Sequence, residues 1–281
     1  MTNVIVNDTI YFYEVTGQGD PLLLLHGFTG SSQNWAAHVP ILAQHYRVIT
    51  LDILGHGQTD SPTDPARYRM DKVAEDVTAV LQIVNCQLSI VNLLGYSMGG
   101  RLALYLATHY PHRFRALILE SASPGLDGKP ARAERRTRDN ALAERIERDG
   151  IAPFVDYWET LPLWASQQQL PPEKHTALRQ QRLANNPIGL ASSLRGMGTG
   201  AQPSLWPHLP ALTLPTLLLA GELDAKFVAI NQQMHALLPS SQLEIVAGAG
   251  HTVHLERPYS FQQAILTFLA TPFATSIVQT S

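Results

Sequence analysis

The stretch VNLLGYSMGGRLALYLA, Val91 to Ala107, joins an aliphatic run to a helically spaced one through Gly-Tyr-Ser-Met-Gly-Gly. Glycine weakens strand and helix interiors alike, so the break marks a turn that has to be tight. Gly95, Ser97 and Gly99 form G-x-S-x-G after a strand pattern and before a helix pattern, the context of a nucleophile elbow. The two glycines answer the crowding where a strand turns directly into a helix. The turn lifts the Ser97 hydroxyl clear of the sheet, and the helix N-terminus beneath it favours developing negative charge.

A serine hydroxyl is a weak nucleophile or base until a histidine, itself oriented by a carboxylate, takes its proton. After an elbow of this kind the chain order is serine, then acid, then histidine, each past a strand end. PTLLLAGELDAKF places Asp224 beyond a strand, with Glu222 as its rival. LEIVAGAGHTVH places His251 in a glycine-rich loop, while His254, three residues on, falls on the next helical turn. An oxyanion hole takes one backbone N–H from the residue after the serine and one from the first strand-to-helix loop. These are Met98 and Phe28, the latter in LLLLHGFTG. His26, and Asp52 and His56 of DILGHGQTD, read as structural parts of tight loops.

Working outward, IYFYEV alternates as a half-buried strand does, and PLLLLHG, YRVITLD, LSIVNLLG, FRALILES, PTLLLAGELD and QLEIVAGAGH are short aliphatic runs. Such runs suit a parallel sheet covered on both faces. Helical patterns separate them over Asp71–Val84, Met98–Thr108, Phe227–Leu237 and Pro258–Leu269. Strand and helix in alternation predict an α/β fold with a mostly parallel, doubly wound sheet. The alternation stops between about Ser121 and Pro210, a helical stretch holding three of the four tryptophans. The expectation is a helical cap over residues 122–207, inserted into a core made of 1–121 and 208–281, above the carboxyl edge of the sheet where open α/β sheets bind ligands.

Composition narrows the function classes. With 281 residues, 45% of them hydrophobic, the chain can bury a large core, and a net charge of −3 offers nothing to nucleic acid or anionic membranes. No apolar run approaches the ~20 residues of a membrane span, and MTNVIVNDTIYFYEV lacks the pattern of a secretory signal. The single cysteine, Cys86, excludes an internal disulfide and any cysteine-based metal cluster. These features predict a cytoplasmic protein, taken as a monomer or small homo-oligomer, and no ligand spacing in the sequence suggests a metal or organic cofactor.

The motifs HGF, D-x-x-GHG-x-(S/T), G-Y-S-M-G-G and GAGH, in this order, resemble the α/β-hydrolase superfamily over nearly the whole chain. A serine at the elbow separates the chain from the epoxide-hydrolase and dehalogenase branches, which carry aspartate there. The strings ESASPGL, YWETLPLW and RLANNPIGLASSLRGMGTGAQPSLW, with the elbow Tyr96 to Arg101, resemble more narrowly the 2-succinyl-6-hydroxy-2,4-cyclohexadiene-1-carboxylate (SHCHC) synthases, pyruvate-eliminating lyases of menaquinone biosynthesis. That resemblance implies a small polycarboxylate substrate, with Ser97 acting as base, assisted by His251 and Asp224. It places substrate-binding arginines at Arg135 and Arg182, and a pocket-lining indole at Trp158. Arg101, one helical turn after Ser97, and Tyr96 beside it join the candidate substrate contacts, since guanidinium pairs bidentately with carboxylate. Arg136 and Arg138 are expected on a solvated face of the same helix as Arg135. The same triad suits a hydrolase of esters, or of carbon–carbon bonds in ring-cleavage products, which is the competing expectation. A non-catalytic binding protein on this fold would lack a triad member.

Overall fold

The structure, a computed structural model, describes residues 2–84 and 90–272; Cys86 and the first two residues of LSIVNLLG lie outside them. Eight strands form one sheet: β1 (Thr2–Val6), β2 (Thr9–Thr16), β3 (Pro21–Leu25), β4 (Arg47–Leu51), β5 (Val91–Tyr96), β6 (Phe114–Glu120), β7 (Thr216–Gly221) and β8 (Ser241–Val246). Their order is β1-β2-β4-β3-β5-β6-β7-β8, with the β1–β2 and β2–β4 pairs antiparallel and the remaining pairs parallel. The helices are α1 (Val39–Leu42), α2 (Met70–Ile83), α3 (Met98–His109), α4 (Lys129–Asp149), α5 (Ile151–Glu159), α6 (Pro172–Leu183), α7 (Pro187–Met197), α8 (Ala225–Leu237), α9 (Val253–Glu256) and α10 (Pro258–Ala270).

The continuous aliphatic runs are continuous because both faces of the sheet are covered. Successive strand residues point to opposite faces, and the core divides accordingly. Leu23, Leu25, Leu93, Leu117 and Leu218 pack with Val73 and Val77 of α2, Leu102 of α3 and Met234 of α8. Leu22, Leu24, Leu94, Ile118 and Leu217 pack on the other face with Trp35 and with Phe261, Ile265 and Phe268 of α10.

Between β6 and β7 the chain is helical, α4 to α7 with a 3₁₀ stretch over Pro162–Gln169. Ala143 and Ile146 of α4, Phe154 and Val155 of α5, and Leu190, Ala191 and Leu194 of α7 form a third apolar cluster of their own. Phe28, from the loop after β3, packs against it and so ties these helices to the carboxyl edge of the sheet. The N-terminal strand β1, short and half exposed, carried no clear sequence signal. Among the described residues no helix is long and apolar enough to cross a membrane.

Candidate active site

Ser97 sits between β5 and α3 with φ 49° and ψ −105°, a backbone conformation that a residue with a side chain rarely adopts. The neighbouring glycines permit it by close approach: a Cβ on Gly99 would stand 2.3 Å from the Leu25 carbonyl oxygen, and one on Gly95 would stand 2.4 Å from that of Gly99. The Ser97 hydroxyl is 3.1 Å from His251 Nε2, and His251 Nδ1 is 2.7 Å from Asp224 Oδ2. With Nδ1–H donating to the carboxylate, Nε2 is left to accept the serine proton.

Both rivals are accounted for. Glu222 is exposed and accepts the Gly248 N–H, away from the histidine. His254 is buried and bound through Nδ1 to Glu120, whose carboxylate also takes the His254 backbone N–H. Phe28 and Met98 line the same cavity as Ser97, and among the described residues neither backbone N–H donates to a turn or loop carbonyl. His26 donates from Nδ1 to the Gly27 carbonyl and accepts the Ile53 N–H at Nε2. Asp52 accepts the Ser32 and Gln58 N–H groups. His56 is fully buried in the same loop layer. All three hold loops, as their sequence context suggested.

A residue that motif reasoning passed over holds the histidine loop. The Glu256 carboxylate accepts the Gly250 N–H at 2.7 Å and the Thr252 N–H at 3.2 Å, the two amides that bracket His251. Nothing in the sequence marks it beyond its place five residues after the histidine. Phe227 and Trp164 also escaped notice; their rings lie 4.6 and 5.7 Å from the His251 ring and wall it from water.

Ser97 and His251 open into a cavity of about 210 Å³ beneath the α4–α7 helices. Tyr96, Phe28, Met98, Arg101, Arg135, Trp158 and Lys226 line it, and none of the described residues lining it is a carboxylate. Arg101 donates through Nη1 to the Met197 carbonyl and to Gln202, and has no acidic partner among the described residues. Burial, aided by Arg135, pushes its pKa down to about 10, so it remains a cation at neutral pH. Arg135 faces the same cavity while holding Asp139 at 2.7 Å. Lys226, on the rim, is a third cation that sequence reasoning did not single out. The Tyr96 ring lines the wall, but its hydroxyl is engaged by Thr252 at 3.1 Å. The Trp158 indole N–H is buried without an acceptor among the described residues, and its ring packs on Phe28 and Trp164.

Arg182 is placed differently from the expectation. It does not line this cavity; it is buried on the far side of Trp164, over whose ring its guanidinium lies, and binds Glu159 at 3.0 Å and Gln167 at 3.2 Å. The Asn185 side chain, three residues on, caps the Thr29 carbonyl instead of turning toward the serine. Arg136 and Arg138 are both exposed, as expected, and Arg136 also borders a separate cleft.

An elbow serine, a histidine and an acid in this order, at the carboxyl edge of an eight-stranded sheet, define an enzyme of one architecture, and the chain belongs to the alpha/beta hydrolase fold family, which it matches over residues 20–258. Within that family it stands with the 2-succinyl-6-hydroxy-2,4-cyclohexadiene-1-carboxylate synthases. It is 31% identical to the synthase of Serratia proteamaculans (strain 568) over 252 residues, 89% of this chain and 93% of that one. It is 47% identical over 271 residues, 95% and 97% of the two chains, to a Bacillus subtilis (strain 168) protein provisionally given the same name. Among solved structures, MenH from S. aureus superposes with a TM-score of 0.88 at 39% identity, covering 92% of this chain and 97% of that one. A thermophilic esterase from Thermogutta terrifontis, solved with malate bound, follows at TM-score 0.82 and 30% identity, covering 96% and 98%.

Proposed function

We propose that this enzyme is a lyase that eliminates pyruvate from 2-succinyl-5-enolpyruvyl-6-hydroxy-3-cyclohexene-1-carboxylate to give SHCHC, the step its relatives are named for in menaquinone biosynthesis. The observation that carries this reading is the charge of the cavity: three cations, no carboxylate, and an arginine without an acidic partner one turn from the serine. A cavity of that charge suits a polycarboxylate and gives a neutral ester little to hold.

In the proposed reaction His251, oriented by Asp224, takes the Ser97 proton, and the serine oxygen removes a proton from the cyclohexene ring. Charge passes into a carbonyl oxygen held by the Phe28 and Met98 amides, a site suited to developing negative charge. The carbon–oxygen bond to the enolpyruvyl group then breaks, and the departing enolate takes up a proton to become pyruvate. Arg101 and Arg135 hold substrate carboxylates, Lys226 assists from the rim, and Tyr96 and Trp158 form the walls. Residues 122–207 act as the cap that excludes water from these ion pairs, which strengthens them.

Incubation with the enolpyruvyl substrate, following pyruvate release, tests the reading directly. Each charge-assisted contact to a carboxylate contributes about 1.5–3 kcal/mol, roughly ten- to a hundredfold in kcat/KM. Arg135→Ala is therefore expected to cut pyruvate release by that factor while cleavage of a small neutral ester hardly changes. Equal losses on both substrates, or an acyl-enzyme on Ser97 trapped during turnover, would identify a hydrolase instead.

A further inference from the structure

Helix α4 is rich in ion pairs, and the exceptions are instructive. Arg135 holds Asp139, Arg138 holds Glu134, and Arg145 and Arg148 hold Asp149. Among the described residues, the two arginines of this helix without a carboxylate partner are Arg132 and Arg136. They stand one helical turn apart, so their side chains share a face. That face borders a cleft, although Arg136 itself is exposed. Both line a cleft of about 610 Å³ walled on the sheet side by Arg69, Met70 and Tyr105 and on the helical side by Arg195 and Ala201. Arg132 is partly buried there, and its Nε–H is enclosed with no acceptor among the described residues.

The cleft is cationic beyond these two. Asp71 is the one carboxylate among its lining residues, and Arg69 occupies both of its oxygens, at 3.0 and 3.2 Å. Arg195 at the rim is held by both oxygens of Glu147. What remains is a pair of guanidiniums with their donors unspent, in a cleft of the size that takes a small molecule. Two such groups at one helical turn repel each other unless something shares them. A planar fork of donors of this kind matches an oxyanion bidentately.

We propose that this cleft, which shares no lining residue with the active cavity, is a second ligand site, and that its ligand is a small molecule presenting a doubly charged oxyanion, a phosphate or a dicarboxylate. Arg132 and Arg136 supply the charge, Arg69 and Arg195 border it, and the Tyr105 ring forms an apolar wall. A ligand seated there touches α2 and α3 of the core as well as α4 and α7, and so links the helices above the sheet to the sheet itself. Arg135, adjacent to Arg136 on α4 and lining the catalytic cavity, is the residue through which occupancy reaches that cavity.

Arginine-directed labelling of the whole enzyme with phenylglyoxal, read by peptide mass spectrometry, tests the assignment, with millimolar inorganic phosphate and millimolar malonate as separate probes. Arg132 and Arg136 are expected to be modified in the free enzyme and protected by at least one probe, while modification of the solvated, ion-paired Arg138 is unchanged. The probe that protects identifies the class of ligand. The double variant Arg132→Gln, Arg136→Gln is expected to keep basal activity and to lose tenfold or more in affinity for that probe in a calorimetric titration. Protection confined to Arg101 or Arg135 would assign the anion to the catalytic cavity and overturn the proposal. Unchanged labelling of Arg132 and Arg136 with both probes would overturn it as well, as would wild-type affinity in the double variant.

Discussion

Glu256 shows how much of the position of His251, the proposed catalytic histidine, is set by contacts to its loop. Its two oxygens accept the amides on either side of His251, so the loop is pinned at the residue that must reach Ser97. Glutamine in its place keeps the shape but offers one accepting oxygen in place of two, leaving one amide without a partner. Glu256→Gln is expected to lower kcat on the order of ten- to a hundredfold, as small displacements of a catalytic group do, with KM nearly unchanged. A parallel rise in KM would mean that the substitution disturbs the cavity rather than the histidine. Ser97 and His251 are expected to act as a unit, as catalytic residues of this kind do. Ser97→Ala and His251→Ala should each remove orders of magnitude of turnover, and their combination little more. Additive losses would separate their roles, and near-normal activity in either variant would refute the assignment.

At the scale of elements, Arg182 belongs to the joint between α5 and α6. It shares Glu159 with Arg179, donates to Gln167 of the 3₁₀ stretch, and lies over the Trp164 ring. Burial lowers its pKa, the Glu159 contacts raise it, and burial dominates. Its removal takes away packing as well as charge, although Glu159 keeps a partner in Arg179. Arg182→Ala is expected to lower stability by about 1–3 kcal/mol. It should reduce turnover of charged and neutral substrates alike, because Trp164 loses its backing beside His251. Calorimetry and the two-substrate comparison check this; a loss confined to the carboxylated substrate would return Arg182 to the cavity. The sequence string RLANN carried the right residue type, but whether a helix turns an arginine toward the serine or into its neighbour depends on how α5 and α6 pack.

Over the whole molecule, three histidines fold into places where charge is costly. Burial lowers His26 to about 4, and burial lowers His38 and His56 to about 3, each with a lesser push from a neighbouring histidine. The unfolded chain, with an ordinary histidine pKa of about 6.5, binds protons there before the folded one does, so stability rises with pH across this window. The stabilisation is complete above about pH 6.5 and is lost as pH falls toward 4, with His26 alone contributing about 3 kcal/mol. Denaturant unfolding between pH 7 and pH 4.5 is expected to show a steep loss, and His38→Gln a shallower one. A flat profile over that range would place these rings in contact with water.

The sequence by itself determined the sheet, the elbow and the order of the triad. Backbone periodicity, turn chemistry and chain order are local or one-dimensional properties, and Gly95, Ser97, Gly99, Asp224 and His251 display them without reference to their neighbours. Family resemblance extended that reading to the substrate class. Tertiary structure alone decided which charged side chains share a space. Arg101 faces the serine's cavity without an acidic partner while Arg182, of the same residue type, is buried against Glu159. Arg136, exposed and without a carboxylate partner among the described residues, borders a cleft, where Arg138, two residues on, pairs with Glu134. The physical reason is that a guanidinium on a long, flexible stem takes its role from whatever acceptor lies within reach. Those acceptors come from helices far apart in sequence, brought together only when the segment between β6 and β7 closes over the carboxyl edge of the sheet.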